Sequence, residues 1–517
     1  MALRLTRRFL ASGPSDGLEC RPSYGATTLV GSGVITCLPG VHRMPRRGTA
    51  GWADRVLSLL GRAAVVAAGL AVLVGCPPEP AKTHLWLGIN THLGDVDRGD
   101  TGGGAPTAAA RRDLSIALLG ELGASRIRDR FMNWADVQPT ADGPYDFSQP
   151  DDLVRRAQAA DLDVLVVCGS IPRWAAADGP AGAVGPGLPD RAHLEAFNRV
   201  VQAFVERYDG DGREDMPELR HPLRAYEFLN AIETFSYAEY AFWLRHFHQA
   251  VKAADLDVRV VLGELYSPGL RTFDQPEGDY PTYFEQVLAA AEPSGSDFPY
   301  FDAVGFRQFP RRYPGREPFD HAVGYLRQVM RGRQIDRRIW LTAFGAPGGG
   351  QTEARQATDL VKWILRGRAL GLERIYLHCL RDGPAAGHTP VEQRMGLVGR
   401  AEKGQIPPRK ASFGAVAQLI RELEERPRVT YRGRGRYLLT GRGDPVHVLW
   451  KDNELDPSPA PMVGWWTVRT LAGRTLTRQG TEIEFTTSPL FLERTRSPFL
   501  DRPEAVPGIQ PSGRSRL

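Results

Sequence analysis

The sequence predicts an α/β protein, a (β/α)8 barrel (TIM barrel) followed by a small antiparallel β-domain, and three observations predict it. From Lys82 to about Glu425, eight short apolar runs alternate with amphipathic helical patterns, and such alternation builds parallel βα units. Eight units over roughly 340 residues match the size of a barrel with loop insertions. After Arg426 the period switches to two, with Gly at the turns, which reads as antiparallel strands to about Thr495.

The strand-like runs are HLWLGIN (84–90), ASRIRD (124–129), DVLVVCG (163–169), AYEFLNA (225–231), RVVLGEL (259–265), FDAVGFR (301–307), RIWLTAFG (338–345) and RIYLHCL (374–380). Buried parallel strands are apolar on both faces, so continuous runs are expected. Helical periodicity stands out before strands 2, 3, 4, 5 and 8, the last as TEARQATDLVKWILRGRALGL, and FGAVAQLIRELEE (413–425) closes the barrel. The segments RVTYRGRGRYLLTG, PVHVLWKD, GWWTVRTLAGRTL and EIEFTTSPLFLER then suggest a β-sandwich-like domain over 426–495. The tail 496–517, rich in Pro and Arg, is expected to be disordered.

The composition, 42% hydrophobic and 24% charged over 517 residues, allows a sizeable core. A net charge of +5 over that length argues against a nucleic-acid partner. Cys20, Cys37, Cys76, Cys168 and Cys379 are scattered, with no CxxC pair and no Cys/His ligand spacing. That argues against a zinc site and a disulfide scaffold, so no metal and no cofactor is expected. Cys168 and Cys379, in apolar runs, read as core thiols.

Residues 44–76, MPRRGTAGWADRVLSLLGRAAVVAAGLAVLVGC, combine a basic start with an apolar stretch of signal-peptide length. The ending Leu73-Val74-Gly75-Cys76 resembles a bacterial lipobox, which implies acylation of Cys76, export and a lipid anchor at the cell envelope, with 77–81 as a tether. The alternative is an uncleaved apolar anchor or a chance match. Met44 is a second candidate start, which would make 1–43 an extension outside the fold.

Chemistry in a (β/α)8 barrel sits at the C-terminal ends of the strands. Here those ends read RDRFMNWADVQPTADGPYDF, GSIPRWAA, YEFLNA, FDAVGFRQFP and IWLTAFG, followed by MGLVGRAEKGQIPPRKASFGAV. In this order the signatures resemble the clan-A glycoside hydrolases, of the β-xylosidase, α-L-iduronidase and endoglucanase type. The resemblance covers nearly all of the chain after the leader. It implies a carbohydrate ligand, and a catalytic pair in which the acid/base follows an Asn on strand 4 and the nucleophile follows a Thr on strand 7.

Both expected glutamates are absent. Asn230 is followed by Ala231 and Thr342 by Ala343. A methyl group can neither carry a proton nor attack an anomeric carbon. Losing the general acid costs about 10²–10⁴-fold, and losing the nucleophile closes the covalent route. Glu233 and Glu264 are the fallback carboxylates, with Asp129 as a further acid near the cleft.

The resemblance also nominates Arg128, Trp134, Trp174, Asn230, Arg307 and Gln308 as substrate-binding. Arg128 would orient the nucleophile in the family. Without it, the guanidinium needs another partner, with Asp129 the ordinary candidate and an anionic ligand the sharper one. Arg130, Arg173, Arg307, Arg311, Arg312 and Arg316 read either as a rim for an acidic glycan or as a solvated surface. Trp134, Trp174, His92, Tyr266 and Phe309 read either as sugar platforms or as loop packing. His246 and His248 read as packing histidines on a helix. Three functions stay open: an inactive, envelope-anchored glycan binder, an O-glycosyl hydrolase with relocated carboxylates, and a structural envelope protein without glycan ligand.

Overall fold

The structure is a computed structural model that describes residues 86–94, 107–177, 187–266, 282–292, 298–309, 319–348, 352–383, 392–400, 406–451 and 462–495. All belong to the compact unit Lys82–Leu517. The extension, the signal segment with Cys76, the tether, the C-terminal tail, and Arg311, Arg312 and Arg316 lie outside the described residues.

Eight parallel strands close a barrel in sequence order: β1 (Leu87–Asn90), β2 (Arg126–Asn133), β3 (Asp163–Gly169), β4 (Ala225–Phe228), β5 (Arg259–Tyr266), β6 (Ala303–Arg307), β7 (Arg338–Phe344) and β8 (Arg374–Leu377). All eight fall within or overlap the apolar runs read from the sequence. Strand β1 closes the seam against β8, with Gly88 opposite Tyr376 and Ile89 opposite Leu377.

Besides a one-turn helix at Trp134–Val137, one α-helix follows each strand among the described residues: α1 (Ala108–Leu122), α2 (Ser148–Ala159), α3 (Leu194–Glu206), α4 (Tyr237–Ala254), α5 (Tyr283–Ala291), α6 (Asp320–Gly332), α7 (Glu353–Ala369) and α8 (Ala411–Glu425). Each turns an apolar stripe inward. On α3 the buried residues are Phe197, Val200, Val201, Phe204 and Val205, at the spacing of one helical face. Helices α5 and α6 were not singled out by periodicity. At α5, Thr282 and Glu285 form a capping box that fixes the start.

Inside the barrel, Leu165, Ala225, Val261, Ala303, Trp340 and Tyr376 form a buried apolar layer, the packed floor that the fold requires. Two residues further along a strand the side chain points the same way. Residues one step beyond this floor therefore line the interior nearer the mouth.

The second domain corrects the expectation of a sandwich. It is one six-stranded antiparallel sheet of order β13-β12-β14-β11-β10-β9, built from β9 (Arg428–Tyr431), β10 (Arg436–Thr440), β11 (Val446–Leu449), β12 (Trp465–Thr470), β13 (Thr475–Gln479) and β14 (Leu490–Thr495). A second sheet is not needed, because one face packs on the barrel's own helices. Tyr437, Leu439, Val446, Val448, Trp450 and Phe491 join the barrel's outer core. Lys362 of α7 lies 5.2 Å from the Trp450 ring, and Arg469 of β12 makes two hydrogen bonds to Glu422 of α8 at 2.6 and 3.1 Å. The opposite face carries a smaller cluster of Leu449, Trp466, Val468, Phe485 and Leu492. Among the described residues, no helix is long and apolar enough to cross a membrane.

Candidate functional site

Directly above the apolar floor lies a layer of buried charge. Arg128, on β2, donates from Nε to Glu227 Oε2 at 2.6 Å and from Nη2 to Glu227 Oε1 at 3.0 Å. Its Nη1 donates to Asn90 Oδ1 at 2.8 Å. Asn90 is itself fixed by donating to the carbonyls of Thr342 and Leu377, at 3.0 and 3.3 Å. The expectation that Asp129 partners Arg128 is therefore corrected. Asp129 instead accepts from the Thr91 hydroxyl and from the backbone N–H groups of Leu93, Gly94 and Arg130, so it pins the turn after β1.

Glu264 completes the layer. Its Oε1 lies 3.5 Å from Arg128 Nη2 and its Oε2 lies 3.5 Å from Arg307 Nη1. Simple alternation from the inward Val261 would send Glu264 outward. The pairing of β5 with β6 shifts register between Leu262 and Leu265, and this irregularity brings Glu264 inside. Gly263 permits it: a Cβ there would lie 2.3 Å from the Phe228 carbonyl oxygen and 2.6 Å from that of Leu229.

The layer alternates sign as Glu227, Arg128, Glu264, Arg307. Glu227 is completely buried and Glu264 is 2% exposed. Burial raises the Glu227 carboxyl to about 7, against the pull of Arg128, with Glu264 adding to the rise. For Arg128, burial disfavours the charge, but Glu227 and Glu264 more than compensate and hold its pKa above the usual value. Among the described residues Glu264 Oε1 and Arg307 Nε are buried without a hydrogen bond.

The two alanines sit at the mouth. Ala231 has a left-handed backbone (φ 52°), as does Leu229 (φ 65°), with half-buried Asn230 between them. Ala343 is 4% exposed and lies in register with Arg307, and its carbonyl accepts from the Gln308 N–H at 3.1 Å. Gln308 Oε1 is another buried oxygen without a hydrogen bond among the described residues.

Glu233 and Glu264 differ in setting, Glu264 buried within the charged layer and Glu233 at an exposed position. Glu233 lies on the exposed turn Ile232–Thr234 and accepts from the Tyr266 N–H. Although the residue as a whole is exposed, crowding around its carboxylate raises its pKa, opposed by backbone N–H groups and by Arg307. The Arg307 guanidinium thus acts on both acids, and it also lies 5.0 Å from the Tyr266 ring.

The aromatic candidates separate. Trp134 is 2% exposed, with its indole N–H on Gln138 Oε1 at 3.0 Å, so it offers no free face. Trp174 is half-buried, packs edge-on against Trp134 at 5.2 Å and donates to the Gln138 carbonyl at 3.1 Å. Tyr266 and His92 are exposed, and Phe309 packs against His378 at 5.7 Å. Arg173 is exposed, and Arg130 lies across Gly169. His246 packs on Phe242 and His248 on Tyr300, both from α4.

Two features escaped the sequence reading. Glu227 is the first; its signal is a lone charge at an inward position of the apolar run AYEFLN. The second is a cluster of His92, His378 and Cys379, whose potential ligand atoms all lie within 4.8 Å of one another.

No protein-family model and no curated protein matches the sequence. Solved structures do. A family 39 glycoside hydrolase from the gut symbiont Bacteroides cellulosilyticus WH2 superposes with a TM-score of 0.55 at 14% identity, over 81% of this chain and 83% of that one. A GH39 β-xylosidase from Caulobacter crescentus gives 0.54 at 15% identity, over 81% and 98%. A glucosidase from Croceicoccus marinus gives 0.51 at 14% identity, over 79% and 99%. What the chain shares with these proteins is the fold, which in this chain is a closed (β/α)8 barrel with an antiparallel sheet.

Proposed function

We propose that the barrel mouth binds carbohydrate without cleaving it by the retaining two-carboxylate route. One observation carries the reading. The strand ends that would supply acid/base and nucleophile bear Ala231 and Ala343, and Arg128 is already held by buried Glu227 in a bidentate pair. Retaining hydrolysis needs two carboxyls about 5–5.5 Å apart across the scissile bond. Glu227 and Glu264 instead share one guanidinium beneath the mouth.

Trp174, Arg307 and Gln308 are the proposed contacts, with buried Trp134 supporting Trp174 from behind. Arg307 retains uncommitted donor capacity, which suits a carboxylated or sulfated sugar. Acylation at Cys76 would hold the site at the cell envelope. Loss of membrane-fraction protein in a Cys76→Ser variant is the expected sign of that anchor, and an unchanged distribution would remove it.

The experiment pairs a glycan array with a panel of aryl glycosides. Binding without turnover, weakened by Trp174→Ala or Arg307→Ala, is expected. Neither binding nor turnover would leave a structural role.

A second reading has its own support, because Arg307 acts on both Glu233 and Glu264, and a raised pKa at Glu233 suits a proton donor. Turnover abolished by Glu233→Gln or Glu264→Gln would establish that reading and overturn the first.

A further inference from the structure

We propose that His92, His378 and Cys379 form a zinc-binding site at the barrel mouth, on the seam where β1 meets β8. The proposal is independent of the carbohydrate reading. His92 is separated from the adjacent His378 and Cys379 by more than 280 residues in sequence, and barrel closure brings them together. Their ligand atoms lie within 4.8 Å of one another. Four-coordinate zinc, with bonds of about 2.0–2.3 Å, spaces its ligands about 3.3–3.8 Å apart. Closing the difference needs side-chain rotation of the order of an ångström, and the His92 side chain lies at an exposed position.

The backbone under each ligand is fixed. His92 has a left-handed φ of 57°, an uncommon conformation for a residue with a Cβ. It is imposed by Asp129, which holds Thr91, Leu93 and Gly94 on either side. On the other strand, His378 donates its N–H to the Phe344 carbonyl at 2.7 Å. The Leu380 N–H bonds Asn90 O at 3.1 Å, and Cys379 O accepts from Leu397 N–H at 3.1 Å. The His378 ring is flanked edge-on by His92 at 5.5 Å and by Phe309 at 5.7 Å. Three of the elements that position these groups therefore also build the candidate site.

The donor set selects the ion. Two imidazoles and a thiolate suit zinc and exclude magnesium or calcium, which want oxygen. Cys379 is 4% exposed, and its thiol donates to the Arg381 carbonyl at 2.9 Å. Metal binding replaces that S–H bond with S–Zn and releases one proton to solvent. With three protein ligands and an exposed side at His92, the fourth position faces solvent. It can take water, or a ligand oxygen entering from the mouth.

Cobalt(II) titration of the metal-stripped full chain tests this, since Co²⁺ reports both sulfur ligation and coordination number. One equivalent should produce a thiolate-to-cobalt charge-transfer band together with the intense visible bands of four-coordinate Co²⁺. Zinc should bleach both. Cys379→Ser should abolish the charge-transfer band while circular dichroism is retained, and Cys168→Ser should leave it unchanged. His92→Ala, at an exposed position and with circular dichroism retained, should weaken binding by more than about tenfold. No charge-transfer band at saturating Co²⁺, a band that survives Cys379→Ser, or a titration unmoved by His92→Ala would each overturn the site.

Discussion

Arg128 and Glu227 meet through two hydrogen bonds of 2.6 and 3.0 Å inside the barrel, from strands two positions apart, with Glu227 completely buried. The pair commits the Arg128 guanidinium to Glu227. It also makes the interior above the apolar floor dependent on charge balance.

A double-mutant cycle reads that dependence. Arg128→Met leaves Glu227 and Glu264 without their shared cation, and Glu227→Leu leaves Arg128 leaning on Glu264 alone. Breaking a buried pair by removing one partner costs about 3–5 kcal/mol. The Arg128→Met/Glu227→Leu double variant removes both charges and fills the space with apolar groups. It should lose less than the sum of the single variants by about 2 kcal/mol or more. Urea unfolding of the four proteins measures the coupling, and additive losses would show that the pair does not act as a unit.

The pH dependence follows from the same residue. The folded carboxyl of Glu227 is raised from 4.5 to about 7. Between those values the folded chain holds a proton that the unfolded chain has released. The stability contributed by this group is therefore fully present below about pH 4.5 and is lost as the pH rises through about 7. A Glu227→Gln variant keeps the shape and cannot titrate. The advantage of the native chain over this variant should shrink between about pH 5 and about pH 8. An advantage that grows with pH would mean that Arg128 outweighs burial and that the carboxyl is ionised throughout.

Gly263 supplies a contrast between two glycines. An added Cβ there meets backbone oxygens at 2.3 and 2.6 Å, whereas at Gly324, exposed on α6, it meets nothing within 4 Å. Gly263→Ala must displace β4 or β5, and should cost about 3 kcal/mol. Gly324→Ala should stabilise by about 0.5–1 kcal/mol through helix propensity alone. Chemical denaturation of both variants measures the difference. Tolerance at Gly263 would show that the strands relax freely around Glu264.

The eight strands were legible because parallel strands buried on both faces have to be apolar throughout, as in DVLVVCG. Helices were legible where a long apolar stripe repeated, as on α3 and α4, and not in α5, which has nine residues. Period-two alternation revealed the strands of the second domain but not what they pack against, so a single sheet lying on α7 and α8 read as a sandwich. Glu227 was hidden because one charge in a strand does not declare its face until neighbouring strands fix the register. Glu264 turned inward through a register shift that alternation cannot show. His92 and Cys379 share no sequence spacing, since barrel closure alone makes them neighbours.

Placing glutamates at Ala231 and Ala343 tests the proposal that the mouth has the shape of a sugar site. Ala231 already adopts the left-handed backbone, so Ala231→Glu adds little strain to what Ala bears. Ala343→Glu places an acid in register with Arg307, which can hold it ionised. With both changes, slow hydrolysis of aryl glycosides is expected. Ala343→Glu alone should attack an activated dinitrophenyl glycoside and then stall, because no base activates water for the second step. Added azide, which needs no base, should release that intermediate as a glycosyl azide, a product identifiable by mass. If both variants fold and neither turnover nor azide product forms across a panel of sugars, the mouth is not shaped around an anomeric carbon, and the carbohydrate reading loses its main support.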